Sequence, residues 1–167
     1  MGSVLVVYGS WAGATAGVAQ RVGKTFSMRG ARVFVVPASS APDPGAYDCV
    51  VVGSAVHTGE WHPMARAWVT SHAPVLREKP SGFFSVCLTP VVHPLHMAEA
   101  RGYCLPVSAE AGVHPLDAAA FAGAYDPEKH KLPVRVKARA WGAKPGDFRD
   151  WKAIDRWAGS LAHQFGY

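Results

Sequence analysis

Apolar residues fall along this chain in two rhythms that alternate with each other. Val4 to Val7 are apolar without a break, and short runs of the same kind recur over residues 31–36, 48–53, 82–88 and 116–123. Unbroken runs of this length, bounded by Gly, Pro and Ser, predict strands covered on both faces, as in a parallel sheet. Between them the apolar spacing changes to threes and fours. Ala16, Val18, Ala19, Val22 and Phe26 predict a helix over 15–28 closed at Gly30, Pro63 opens one that runs to about residue 76, and another falls within 94–111. Trp151, Ile154, Trp157, Ala158 and Leu161 predict a final helix over 150–164, capped by Asp147 or Asp150. Strand and helix alternating at these lengths give an α/β fold with a doubly wound parallel sheet.

The pattern fails over residues 125–147. There, Val134, Val136, Ala138 and Ala140 alternate with basic residues at the period of a strand, while Leu132 and Pro133 equally open a short helix. Residues 37–47, rich in Ala, Ser and Pro, read as a loop, and residues 54–61, after the third strand, as a polar loop. At 167 residues, with 49% hydrophobic and 17% charged residues, the chain is expected to be one globular domain over 1–167 with an irregular basic insertion at about 125–147. There is no secretory h-region and no run of eighteen apolar residues, so a soluble, cytoplasmic protein is expected.

Charge and cysteines narrow the chemistry. Cys49, Cys87 and Cys104 lack paired spacing, which speaks against a disulfide framework or a structural zinc. Eight histidines are scattered, and His93 with His96 has no nearby cysteine, so no metal site is expected. The net charge of +5 is spread along the chain except where Lys129, Lys131, Arg135, Lys137, Arg139 and Lys144 crowd together. No nucleic-acid signature accompanies it, which leaves acidic partners or peripheral contact with an anionic membrane surface.

The turn after the first strand carries the most specific signal. Ser10, Gly13 and Thr15 lie between the strand and the helix start, where backbone N–H groups and the helix dipole converge on a phosphate. Gly13 allows close backbone approach, and Ser10 and Thr15 supply hydroxyls. The loop has no lysine, and Gly23-Lys24-Thr25 lies inside the predicted helix, so a nucleoside triphosphate site is rejected. The dinucleotide fingerprint is missing as well, which favours a ligand with one terminal monophosphate, such as FMN.

These residues carry a resemblance to the flavodoxin superfamily and, within it, to the branch of menaquinone-dependent protoporphyrinogen oxidase. Ser10, Gly13 and Thr15 match that family's T-x-T-G-x-T loop, with Ala12 in place of its middle threonine. Residues 50–59, from Val50 through Gly53 and His57 to Gly59, are similar to the branch's second FMN loop, Phe84, Ser85 and Val86 precede its third, and residues 146–151 also look like the branch.

The resemblance implies a flavodoxin-like three-layer sandwich with five parallel strands in order 2-1-3-4-5, and FMN bound where that order reverses. Cofactor contacts are then expected from Ser10, Trp11, Ala12, Gly13, Ala14 and Thr15; from Ser54, Ala55, Val56, His57, Thr58, Gly59 and Trp61; and from Cys87, Leu88, Thr89, Pro90 and His93. His57 or Trp61 would lie against the ring, the Gly59 backbone would meet its N5 edge, and Trp11 would shield the phosphate or protrude. Two functions stand: an FMN-dependent oxidoreductase passing electrons between an organic donor and a quinone or similar acceptor, protoporphyrinogen-oxidase-like, or a flavodoxin-type shuttle without its own substrate. A domain that has lost its flavin is the third, given Ala12. The positive charge favours the enzyme, because shuttles that dock on basic partners are acidic.

Overall fold

Two-sided burial of the apolar runs builds the sheet. In the computed structural model, which describes residues 2–167, β1 (Ser3–Gly9) pairs in parallel with β2 (Arg32–Pro37) on one side and β3 (Cys49–His57) on the other. β5 (Ser81–Cys87) and β6 (Asp117–Ala122) extend the parallel sheet to the order β2-β1-β3-β5-β6. This is the expected flavodoxin-like order. Alternate residues serve opposite faces. Leu5, Val7, Val50 and Val52 face one core, while Val4, Val6 and Val51 face the other, and all are fully buried.

Each face is closed by helices whose apolar stripes match it. α1 (Ala14–Ser27) brings Val18, Val22 and Phe26 to one side, beside Ile154 and Leu161 of α8 (Trp151–Gln164). The opposite face carries α2 (Pro63–Ser71), α3 (Ala73–Arg77), α5 (Met97–Gly102) and α6 (Leu105–Ala111). The single helix expected from Pro63 to 76 is two, because Pro74 has no N–H for the ladder and the turn restarts at His72. Of the two candidate caps for α8, Asp150 accepts the Ala153 N–H at 3.0 Å, and Asp147 is paired elsewhere.

Two segments depart from expectation near the carboxyl ends of the strands. Residues 54–61, expected to be a polar loop, continue β3 through His57 and return as β4 (Glu60–Trp61), pairing Val56 with Trp61 and His57 with Glu60. The third loop contains a short helical turn, α4 (Thr89–Val92). The ambiguous 125–147 stretch resolves into a clip and a helix: β7 (Ala124–Tyr125) pairs antiparallel with β8 (Gly146–Asp147), and α7 (Leu132–Ala140) lies between them. Pro133 in its first turn suits a helix start.

Candidate functional site: a roofed crevice at the strand ends

The first turn is a donor cradle. Gly13 sits at φ 93° with open space where a Cβ would stand, and no side chain caps the N-terminus of α1. Ser10 Oγ accepts the Gly13 N–H at 3.0 Å, which leaves its own proton to give. The Thr15 hydroxyl lines the crevice from a residue only 1% exposed and makes no hydrogen bond among the described residues. Free first-turn N–H groups and two hydroxyls around a helix dipole fit one phosphate group.

The second wall is a tight hairpin. Thr58 at φ 51° and Gly59 at φ 81° make its turn, and Thr58 is the one non-glycine with positive φ among the described residues. A β-branched residue held there is strained, a feature that clusters at binding sites. The Thr58 hydroxyl donates to the His57 carbonyl at 2.7 Å. Trp11, 42% exposed, stacks its ring on His57 at 3.8 Å and 17° and meets His62 at 4.5 Å, joining the first two loops.

The floor and far wall come from the third loop, the roof from the insertion. The crevice they line measures about 660 Å³. Leu88, Thr89, Glu99 and Tyr103 stand on one side; Tyr125, His130, Val134, Lys137, Ala138 and Trp141 cover it. Arg149 holds the insertion down. Its guanidinium donates to both Asp147 carboxylate oxygens at 2.8 and 2.6 Å and to the Ala14 carbonyl at 3.3 Å, and it lies 4.5 Å over the Trp151 ring. That pair keeps the Asp147 carboxyl below its ordinary range. The roof is thereby tied to the first turn of the phosphate helix.

The structure sorts the expected site residues. Ser10, Trp11, Ala12, Ala14, Thr15, Ala55, Val56, His57, Thr58, Gly59, Cys87, Leu88 and Thr89 line the crevice, with Gly13 shaping the turn between them. Four others do not reach it. Trp61 is 3% exposed, its indole N–H donating to Ser85 Oγ at 3.0 Å, because β4 turns it into the core under the sheet. Ser54 is fully buried, its hydroxyl donating to the Ala55 carbonyl and accepting the His62 N–H to secure the hairpin base. Pro90, the second residue of α4, lies outside the wall, and His93 stacks edge-on behind Trp141 at 5.4 Å. The roof residues and the Glu99–Tyr103 wall were missed, since only folding brings them to this end of the sheet.

Electrostatics in the crevice centre on His57. Desolvation, then the neighbouring His130 and His62, push its pKa below the ordinary imidazole value, even though part of the ring remains open to water. As pH falls through about 6.5 the unfolded chain therefore takes up this proton first, so the stability His57 contributes above that pH is lost as pH drops towards its folded value. The stacked imidazolium should quench Trp11, giving a fluorescence step with a midpoint below about 6.5. In His57→Gln the step should be gone.

Fold and site together define a doubly wound α/β protein with a phosphate cradle at the topological switch point and a covered crevice beside it. The flavodoxin domain family matches residues 5–137, and the chain belongs to that family. Membership indicates FMN binding and makes the chain an FMN-type electron-transfer protein. Similar solved structures include flavodoxin 2 from Bacillus cereus, at 17% identity and TM-score 0.64 over 97% of this chain and 99% of that one. A flavodoxin from the domain Archaea matches at 14% identity and TM-score 0.62 over 99% of both chains. The rubredoxin oxygen:oxidoreductase of the anaerobe Desulfovibrio gigas matches at 13% identity and TM-score 0.66, over 98% of this chain and 36% of that one. At these identities the likeness is one of fold. No curated protein matches the chain in sequence.

Proposed function

We propose that the protein is an FMN-dependent oxidoreductase of the protoporphyrinogen-oxidase-like branch, passing electrons between an organic donor and a quinone or similar acceptor. The observation that carries this reading is the roof. A shuttle leaves its redox group open to partner proteins, whereas here Tyr125, His130, Val134, Lys137 and Trp141 of the chain's own insertion line one side of the crevice. A crevice with a mostly apolar lining suits a small organic ligand.

FMN supplies the one- and two-electron chemistry when bound, and the protein supplies binding, orientation and access. Ser10, Thr15 and the first-turn amides of α1 would hold its phosphate. Lys137 is the one Lys or Arg in the crevice wall among the described residues, and it favours a ligand with an acidic group. The outer side of α7 exposes Leu132 and Val136 beside Arg135 and Arg139, a combination suited to an anionic lipid surface that holds quinone.

Turnover decides between enzyme and shuttle. Protein loaded with FMN and reduced by light should be reoxidised by a soluble quinone in repeated cycles once a donor is supplied. Exchange with a reductase alone, with no donor-dependent quinone reduction, would leave a shuttle. In parallel, co-sedimentation with phosphatidylglycerol vesicles should exceed that with phosphatidylcholine vesicles and fall with salt. Equal binding to both would remove the membrane contact.

A further inference from the structure

One line of hydrogen bonds runs from the crevice wall to the surface. The Thr89 hydroxyl lies 3.1 Å from the Tyr103 hydroxyl, which donates to Glu99 Oε1 at 2.9 Å. The other oxygen of that carboxylate, Oε2, is 2.8 Å from His96 Nδ1. Thr89 is 5% exposed, whereas the Glu99 and His96 side chains are 54% and 55% exposed, so the line begins in the protein and ends in water. Its inner members, Thr89, Glu99 and Tyr103, line the crevice, and His96 does not.

The arrangement follows from the local fold. His96, Glu99 and Tyr103 stand three and four residues apart around α5, on one helical face. Thr89, first residue of α4, is brought against Tyr103 by the third loop. As stabilising contacts on an exposed helix these bonds contribute little. Their continuity from chamber to solvent is what sets them apart. Cys87 is the ionisable group behind them, its thiol pushed up by burial.

We propose that Tyr103, Glu99 and His96 conduct a proton between a ligand in the crevice and bulk water, the Tyr103 hydroxyl being the group that meets the ligand and Thr89 the hydroxyl that positions it. This rests on the oxidoreductase reading above. Reduction of a quinone by reduced FMN moves two electrons and one proton as a hydride equivalent, and leaves the quinone short of a second proton: FMNH⁻ + Q + H⁺ gives FMN + QH₂. That second proton comes from Tyr103, whose O–H bond breaks as an O–H bond forms on the quinone. The phenolate oxygen is reprotonated from Glu99, and His96 passes a proton from water to Glu99. Oxidation of an organic donor that releases a proton runs the same line outward.

The test uses the FMN-loaded protein, reduced photochemically and mixed with duroquinone, with flavin absorbance followed in a stopped flow. Tyr103→Phe should slow reoxidation by roughly 100-fold, the size of a lost general acid. His96→Gln should also slow it, and added imidazole should restore the rate. FMN affinity, read from quenching of flavin fluorescence, should be unchanged in both. A Tyr103→Phe protein reoxidised at the wild-type rate, or a slow His96→Gln protein that imidazole does not rescue, overturns the proposal. The phenol titration needs no flavin. Burial holds the Tyr103 phenol above its ordinary range, and the Glu99 carboxylate adds to that, so Glu99→Gln should move phenolate absorbance to lower pH. An unchanged titration overturns the relay even in protein that takes up no FMN, which by itself would refute the oxidoreductase reading instead.

Discussion

Replacing Gly53 by alanine is expected to lower the melting temperature by about 6–12 °C, the equivalent of roughly 3 kcal/mol in a chain of this size. Gly53 lies in the middle of β3, opposite Phe84 of β5, and a Cβ built on it falls 1.9 Å from the Phe84 ring. The ring has nowhere to go: it is fully buried and wedged edge-on against Trp157 at 5.8 Å, with Phe121 at 6.1 Å. Overpacking in so rigid a place costs more than the added methyl returns. Thermal unfolding followed by circular dichroism measures it. A shift of a degree or less would mean that the two strands can part at this point. The double variant Gly53→Ala with Phe84→Leu should recover part of the loss, since it clears the space the ring occupied.

Thr15→Val is expected to weaken FMN binding by roughly 10- to 100-fold, as the loss of one hydrogen bond to a charged group costs about 1.5–3 kcal/mol. The substitution keeps the shape of a residue that is 1% exposed and removes only its hydroxyl. With no lysine in the loop and Ala12 where the family's pattern has threonine, this hydroxyl is a larger share of the cradle than it would be in a fuller site. Riboflavin, which lacks the phosphate, should bind wild type and variant alike. Titration of both flavins against quenching of their fluorescence makes the comparison, and equal FMN affinity in the two proteins would place the phosphate elsewhere.

The stretch from Val4 to Thr15 shows how far the chain alone carries. Its four apolar residues, the turn with Ser10 and Gly13, and the helix pattern that follows are local properties, and each appears in the structure where the sequence places it. Residues 54–57 show the limit. Their polar character suggested a loop, but β4 folds back on them and supplies the ladder partners that polar residues do not forbid. Trp61 then turns inward by the alternation of a strand, a consequence of a pairing that has no signature in its own neighbourhood.

The insertion makes the same point from the other side. Val134, Val136, Ala138 and Ala140 satisfy the period of a strand and also the residue preferences of a helix, and in the fold they lie on α7, between the paired β7 and β8. The sequence by itself determined the five parallel strands, the first and last helices, their order and the turn after β1, because each rests on residues within one turn or one strand. Only the tertiary structure decided that α7 roofs the crevice, that Trp11 stacks on His57, and that Thr89, Tyr103, Glu99 and His96 join into one line. Those contacts link separate elements at the strand ends, and the free energy that selects them comes from packing the whole sheet and its helices together, which no short window of residues contains.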